Sequence, residues 1–345
     1  MQKRLIYICY LLCYVLLMSA CDKSSDKPAI GVLLPVNFPE PVYNLAANPV
    51  SWDGFQLGKS LFYDPILSKD NSVSCGSCHI ATSAFTQHGH TVSHGINDQL
   101  GKRNSLSLVN LAWGKDFFWD GGVHNFDLVA FNPIQNPVEM DETVANVIVK
   151  LQQISAYKQQ FKAAFGSEEI TTQTFTKALS QFMLCMVSAN SKYDQYVRKE
   201  NNITLTTDEL DGLALVKAKC SNCHATDLFT DGSFRNNGLS SSFEKDMGRY
   251  NVTLMPEDMG KFKVPTLRNL TYSTPYMHDG RFTTLEQVLN HYSSGVKATA
   301  TLDSTLLNNG TTGIALSDGE KQHIIAFLKT LDDESFIRDK RFQEE

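Results

Sequence analysis

The chain has 345 residues, enough for two ordinary domains, and a formal net charge of −6. Apolar residues make up 42% and charged residues 20%, a soluble globular balance that excludes a disordered or fibrous protein. Acidic residues outnumber basic ones 37 to 31 and no basic run occurs, so nothing points to nucleic acid as a partner.

Residues 1–21 read as a targeting segment rather than as fold. Lys3 and Arg4 give the positive start, and Leu5 to Met18 is an apolar run too short to span a bilayer comfortably. Met18-Ser-Ala-Cys21 resembles a bacterial lipoprotein cleavage site. Cleavage there leaves Cys21 for a membrane lipid anchor and places the protein in the periplasm or outer cell envelope. The alternative is a plain secretory signal cut nearby. Residues 22–40 form a tether.

Ser51 is placed to cap a helix through Trp52, Phe55 and Leu61, which Asp64-Pro65 ends. A loop leads to Cys75-Gly-Ser-Cys78-His79. Residues 80–140 lack helical periodicity and are rich in Gly, Asn and Asp, as a long segment wrapped around a ligand would be. Asp141 then caps an amphipathic helix with Val144, Val147, Ile148, Leu151, Ile154 and Phe161 at helical spacing. A second helix is predicted from Thr172 to Tyr193, with Cys185 as a buried small hydrophobe in it. Polar Lys199 to Asn202 divides a first domain, 41–202, from a second, 203–345.

In the second domain the capping box Thr206-x-x-Glu209 starts a helix running into Cys220-Ser-Asn-Cys223-His224. Residues 226–283 are again long and Gly-rich. Thr284-x-x-Gln287 opens a helix carrying Leu285, Val288, Leu289 and Tyr292 on one face, and Ser317-x-x-Glu320 opens the last. No strand run appears. The predicted fold class is mainly α.

C-x-x-C-H is the attachment signature of c-type haem. Each cysteine pair can add across the two vinyl groups, and the histidine that follows reaches the iron. A structural zinc site would need four ligands closed into a tetrahedron. A thioredoxin-like pair would need a βαβ setting. Two copies, each followed at once by histidine, point to two covalently bound haems, on Cys75, Cys78, His79 and on Cys220, Cys223, His224, and so to a mainly α fold of two cytochrome c-like haem domains in one chain. The dipeptides Arg103-Asn104 and Arg268-Asn269 after the two motifs suggest an internal duplication.

With these motifs the chain resembles the bacterial di-haem cytochrome c peroxidase family, including its MauG-like branch, over roughly residues 45–331. The matching segments are Leu57-Gly-Lys-Ser-Leu-Phe-Tyr-Asp-Pro65, Gly101-Lys-Arg-Asn-Ser105, Phe118-Trp-Asp-Gly121, Asn136-Pro-Val-Glu-Met140, Phe262-Lys-Val-Pro-Thr-Leu-Arg-Asn269 and Pro275-Tyr-Met-His-Asp-Gly280.

The resemblance implies that hydrogen peroxide reacts at the haem on His79. The haem on His224 would pass on electrons from a small c-type cytochrome or a cupredoxin. Glu139 matches the family's acid–base carboxylate, which takes a proton from peroxide and returns one as the O–O bond breaks. Trp119 matches the tryptophan between the haems, and His278 lies near their interface. Asn104, with the carbonyls of Ser273 and Pro275, matches a calcium site. Arg103 and Arg268, together with Arg249 and Arg281, are candidates for pairing with haem propionates.

Family peroxidases often close the first iron with a loop histidine. Register places Ile96 there, so that iron is expected to be open, with His88, His90 and His94 as alternatives. Counting from His278 reaches Tyr292 as sixth ligand of the second iron, with Met277 as the competing ligand. Gly122 stands where the family often has arginine, and Ser105-Leu106 replaces a proline-bearing step. The implied activity is that of an exported cytochrome-c peroxidase-type oxidoreductase. The alternatives are a MauG-like oxidase of a protein side chain and a di-haem electron carrier.

Overall fold

Ser51 opens the first long helix among the described residues of the computed structural model, its hydroxyl accepting from the Gly54 amide at 3.0 Å. The structure describes residues 27–308 and 310–344. The targeting segment, with Cys9, Cys13 and the anchor candidate Cys21, lies outside the described residues.

In the first half, helix α1 (Trp52–Tyr63) buries Phe55, Leu57, Leu61 and Phe62. It is followed by α2 (Val144–Gln152), α3 (Ser155–Phe165) and α4 (Thr172–Leu184). α1 packs across α3 and α4. The α1–α4 crossing is close because Gly58 has no side chain; a Cβ there would lie 2.1 Å from the Ala178 carbonyl oxygen. Phe55 and Phe62 meet Phe182 at centroid distances of 5.3 and 5.2 Å. The long loops feed this core too, through Phe85.

The second half repeats the device. Its helices are α5 (Thr207–Lys219), α6 (Leu285–Asn290) and α7 (Asp318–Lys329). Each opens on the capping box legible in the sequence, from Thr206, Thr284 and Ser317. α5 crosses α7 at Gly212, where a Cβ would lie 2.0 Å from the His323 carbonyl oxygen. Leu213, Val216, Leu285, Leu289, Ile324 and Leu328 form the buried core of this half. The strands are minimal: β1 (Phe234–Arg235) pairs antiparallel with β2 (Phe262–Lys263), and a second two-residue hairpin joins Leu307–Asn308 to Thr311–Thr312.

Several boundaries differ from those expected. Thr143, not Asp141, caps α2, its hydroxyl accepting from Asn146 N at 3.2 Å, while Asp141 turns outward to Lys69. The helix expected to run on through Phe161 breaks at Ile154, and the one expected to reach Tyr193 stops at Leu184. A separate short helix, Lys192–Val197, follows, because Ser191 offers a fresh cap and capping box.

The halves also exchange segments. Tyr193 belongs to the second core, against Phe229 and Phe327 at 5.2 and 5.6 Å. The chain's end returns to the first half, where Phe336 meets Phe85 at 5.9 Å and Phe342 meets Phe55 at 6.1 Å. Among the described residues no helix is long and apolar enough to cross a membrane.

Candidate active site

A cavity of about 1290 Å³ reaches both C-x-x-C-H motifs. It exceeds the roughly 300–1,000 Å³ of ordinary small-ligand pockets. Cys75, Cys78 and His79 line one part of it, and Cys220, Cys223 and His224 another. Burial pushes the Cys75 thiol up to about 12 and those of Cys78 and Cys220 up to about 11. A thioredoxin-type nucleophile needs the opposite shift.

The two histidines are held alike. His79 Nδ1 lies 2.7 Å from the Phe85 carbonyl oxygen, and His224 Nδ1 lies 3.1 Å from that of Phe229. This contact makes Nδ1 the donor and leaves Nε2 for a metal. Burial lowers the pKa of both imidazoles and favours the neutral, ligating form. Paired thiols, a neutral imidazole and mostly apolar walls fit a covalently held haem at each motif.

Leu106 and Pro265 supply a second backbone acceptor to His79 and His224 respectively. That equivalence corrects the register of the duplication. Leu106 to Asn110 corresponds to Pro265 to Asn269, so the partner of Arg268-Asn269 is Val109-Asn110 and not Arg103-Asn104. Asn110 and Asn269 are both left-handed, with φ of 59° and 61°. They meet at one residue: Asn110 Oδ1 accepts from Ser188 N at 2.9 Å, and Asn269 Nδ2 donates to Ser188 Oγ at 2.9 Å.

Glu139 lines the cavity beside Cys75 and Cys78, whose thiols feel its charge. Burial raises its pKa, and a hydrogen bond from Asn136 Nδ2 at 2.8 Å partly opposes that rise. Ile96 is buried and its amide donates to the Glu139 carbonyl at 2.8 Å. The adjoining Gly95 leaves no space for a side chain, since a Cβ would lie 2.1 Å from the Val138 carbonyl oxygen. His88, His90 and His94 are not among the residues lining the cavity. His94 instead bonds Asp98 at 2.6 Å, and His88 bonds Ser83 at 3.4 Å.

Trp119 is buried on the same cavity, its indole N–H donating to the Asn104 carbonyl at 2.8 Å. The His278 ring stacks on Phe262 at 3.6 Å and stands edge-on to Trp119 at 6.3 Å. Burial pushes His278 down to about 4, so its ring is neutral at ordinary pH. Asn104 ties this seam to the Ser273–His278 loop: its amide N–H donates to the Pro275 carbonyl at 2.6 Å, and its Oδ1 is buried without a partner. The stranded amide oxygen is a donor of the kind calcium takes, and Ser273 and Pro275 line the same cavity, but it is the Asn104 NH2 that faces the Pro275 carbonyl, so Oδ1 would have to turn to share an ion with it. Among the described residues no group of three His, Cys, Asp or Glu is arranged to hold a metal.

On the second side, Tyr292 and Met277 both line the cavity. Tyr292 lies in a wide helical turn, His291–Gly295, a rare geometry that often marks functional positions. Burial pushes its phenol up to about 12, partly opposed by the Asn237 amide. The same amide donates to Met277 Sδ at 3.6 Å. Asn237 therefore touches both candidate ligands.

The arginines offered as propionate partners each have a partner within the chain as well. Arg268, 1% exposed, grips Asp194 through two bonds of 2.7 and 2.8 Å and also donates to the Asp227 carbonyl. Arg103 holds Asp246 at 2.7 and 2.8 Å and also pairs with Asp120. Arg249 stacks on Phe234 at 3.8 Å, and Arg281 pairs with Asp279. The roles of Asn136, Asn237 and Lys263 rest on neighbours supplied by folding, although Asn136 stands in the matching Asn136–Met140 segment. For Lys263, its place in the Phe262–Asn269 motif was the available signal.

A family model described as di-haem cytochrome c peroxidase matches residues 52–202. The chain is 35% identical over 296 residues to the methylamine utilization protein MauG of Methylorubrum extorquens, covering 85% of this chain and 82% of that protein. It is 36% identical over 299 residues to cytochrome c551 peroxidase of Nitrosomonas europaea, covering 85% and 84%. It also resembles the crystal structure of a MauG-like protein associated with microbial copper homeostasis. The TM-score is 0.82 at 33% identity, covering 91% of this chain and 99% of that one.

Proposed function

Because the chain belongs to the di-haem cytochrome c peroxidase family and is an oxidoreductase, we propose that it reduces hydrogen peroxide beside His79 with electrons entering on the His224 side. The observation that carries this reading is the half-buried carboxyl of Glu139, with its raised pKa, on the cavity wall next to Cys75 and Cys78. A haem held by Cys75, Cys78 and His79 supplies the redox chemistry that splits a peroxide bond. Glu139 takes the proton that peroxide loses and returns it to the departing oxygen. Asn136 fixes the carboxylate's orientation, and the packed Gly95–Ile96 backbone keeps its main chain in place. Two electrons and two protons complete the conversion of peroxide to two waters. Trp119 connects the two sides, and Asn104 with the Ser273 and Pro275 carbonyls holds calcium at that seam.

The test is peroxide turnover by the two-haem protein with a reduced small c-type cytochrome or cupredoxin as donor. Turnover at the parental rate in Glu139→Gln refutes the assignment of the base. The segment 41–202 then serves as the peroxide-reacting domain and 203–345 as the electron-transfer domain. Export and lipid anchoring at Cys21 rest on the sequence of residues 1–21 and predict a protein of the periplasm or outer envelope.

The position of Tyr292 favours a second reading, a MauG-like oxidase that draws electrons from a protein side chain. A hard phenolate ligand disfavours the ferrous state, whereas a thioether favours it. Tyr292→Phe is expected to alter the low-spin ferric spectrum and Met277→Leu to leave it nearly intact. The reverse outcome identifies methionine and removes the support for this second reading.

A further inference from the structure

Each haem carries two propionate carboxylates, and a buried carboxylate needs a cation. Most cations deep in the cavity wall are already paired within the protein. Arg103 holds Asp120 and Asp246, Arg268 holds Asp194, Arg235 holds Asp231 and Asp303, and Lys219 holds Glu320. Lys263 differs. It lines the same cavity, yet no ion pair among the described residues includes it. Its ammonium donates to the Asp116 carbonyl and lies 5.5 Å from the centre of the Phe117 ring. The Asp116 carboxylate acts on it through space but is itself gripped by the His124 ring.

The position of Lys263 is fixed at its base. Lys263 sits in β2, and its backbone amide donates to the Trp119 carbonyl at 2.7 Å. The charge therefore belongs to the seam between the two C-x-x-C-H sites. Burial pushes the amine down to about 8, which leaves it largely protonated at neutral pH. An ammonium partly taken out of water, whose nearest carboxylate is bonded to another side chain, is stabilised by a further anion. With haems held at both motifs of this cavity, a haem propionate would be the anion to complete it.

We propose that the Lys263 ammonium is the counter-ion of a haem propionate at the Trp119 seam and thereby raises the reduction potential of that haem. The sign follows from charge. Ferric iron carries one more positive charge than ferrous, so a nearby cation favours the ferrous state. This assignment rests on the reading of the cavity as a two-haem site. A parent protein that binds fewer than two haems refutes that reading, whatever Lys263 does.

The experiment is a spectroelectrochemical titration of the two-haem protein and of Lys263→Gln, Lys263→Met and Lys263→Arg, with haem content measured for each. In the two neutral variants one haem is expected to show about a tenfold lower ferrous-to-ferric ratio at fixed potential, the size of one charge acting through a partly buried medium. The other haem should move less, which identifies the haem whose propionate is paired. Lys263→Arg should restore most of the parental ratio. Haem loss in both neutral variants but not in the arginine variant would also support the assignment. Parental ratios for both haems in a neutral variant with full haem content would overturn it. So would an arginine variant that shifts as far as Lys263→Gln, or haem loss in all three.

Discussion

In the second half α5 ends at Lys219 and delivers Cys220 directly, whereas in the first half α1 ends at Tyr63 and residues 64–74 intervene before Cys75. The two halves are otherwise built alike. Each crosses its first and last long helices at a glycine, Gly58 or Gly212, that admits no side chain. Each points a histidine Nδ1 at a loop carbonyl, Phe85 or Phe229. Each closes its loop with a left-handed asparagine, Asn110 or Asn269. They differ in what else faces the cavity: on the first side a half-buried carboxyl with an amide on it, on the second a tyrosine and a methionine sharing one amide. A duplicated scaffold can thus hold two like groups while the loops assign them different work.

The largest expected effect tests that division. Glu139→Gln should slow the reaction with peroxide about 10²–10⁴-fold in stopped-flow measurements. Tyr292→Phe should leave the same rate within a few-fold. The opposite pattern would exchange the roles of the halves.

The next concerns how the halves are joined. Arg268→Leu would leave Asp194 buried and unpaired, at a cost of about 3–5 kcal/mol in chemical denaturation. Arg103→Leu should cost less, because its pairs with Asp120 and Asp246 are partly open to water. Equal costs would deny Arg268–Asp194 its place as the buried bridge.

The helix crossings come third. Gly58→Ala and Gly212→Ala each force a Cβ toward a backbone oxygen, and each should destabilise by about 1–3 kcal/mol. The clash should outweigh the gain of about 1 kcal/mol in helix propensity. A stabilising change in either half would show that its crossing is looser than its counterpart's.

The smallest is a shift in pH dependence. Burial raises the Glu139 pKa and the Asn136 hydrogen bond lowers it. Asn136→Leu removes the lowering contribution, so the carboxyl holds its proton to higher pH. The base form is then lost sooner on acidification, and the acid limb of the rate–pH profile should move upward. A profile that stays in place, or moves down, would separate Asn136 from the proton transfer.

The sequence by itself determined what is local. The C-x-x-C-H spacing dictates covalent attachment and an adjacent histidine within five residues. The boxes at Thr206, Thr284 and Ser317 set three helix starts because a cap and its partner lie three residues apart. Ser51 and Cys185 were legible for the same reason, one as a cap and the other as a small apolar residue in an apolar run. Only tertiary structure decided where the charges went. Arg268 finds Asp194 across 74 positions and Arg103 finds Asp246 across 143, pairings that no local spacing announces. It also set the true register of the repeat, which depends on the carbonyls reaching His79 and His224 and on the shared Ser188. The exchange of Tyr193 and Phe342 between the halves arose in the same way. Burial of a charge carries a cost that only its spatial neighbours can offset, and local spacing does not specify which distant segments become those neighbours.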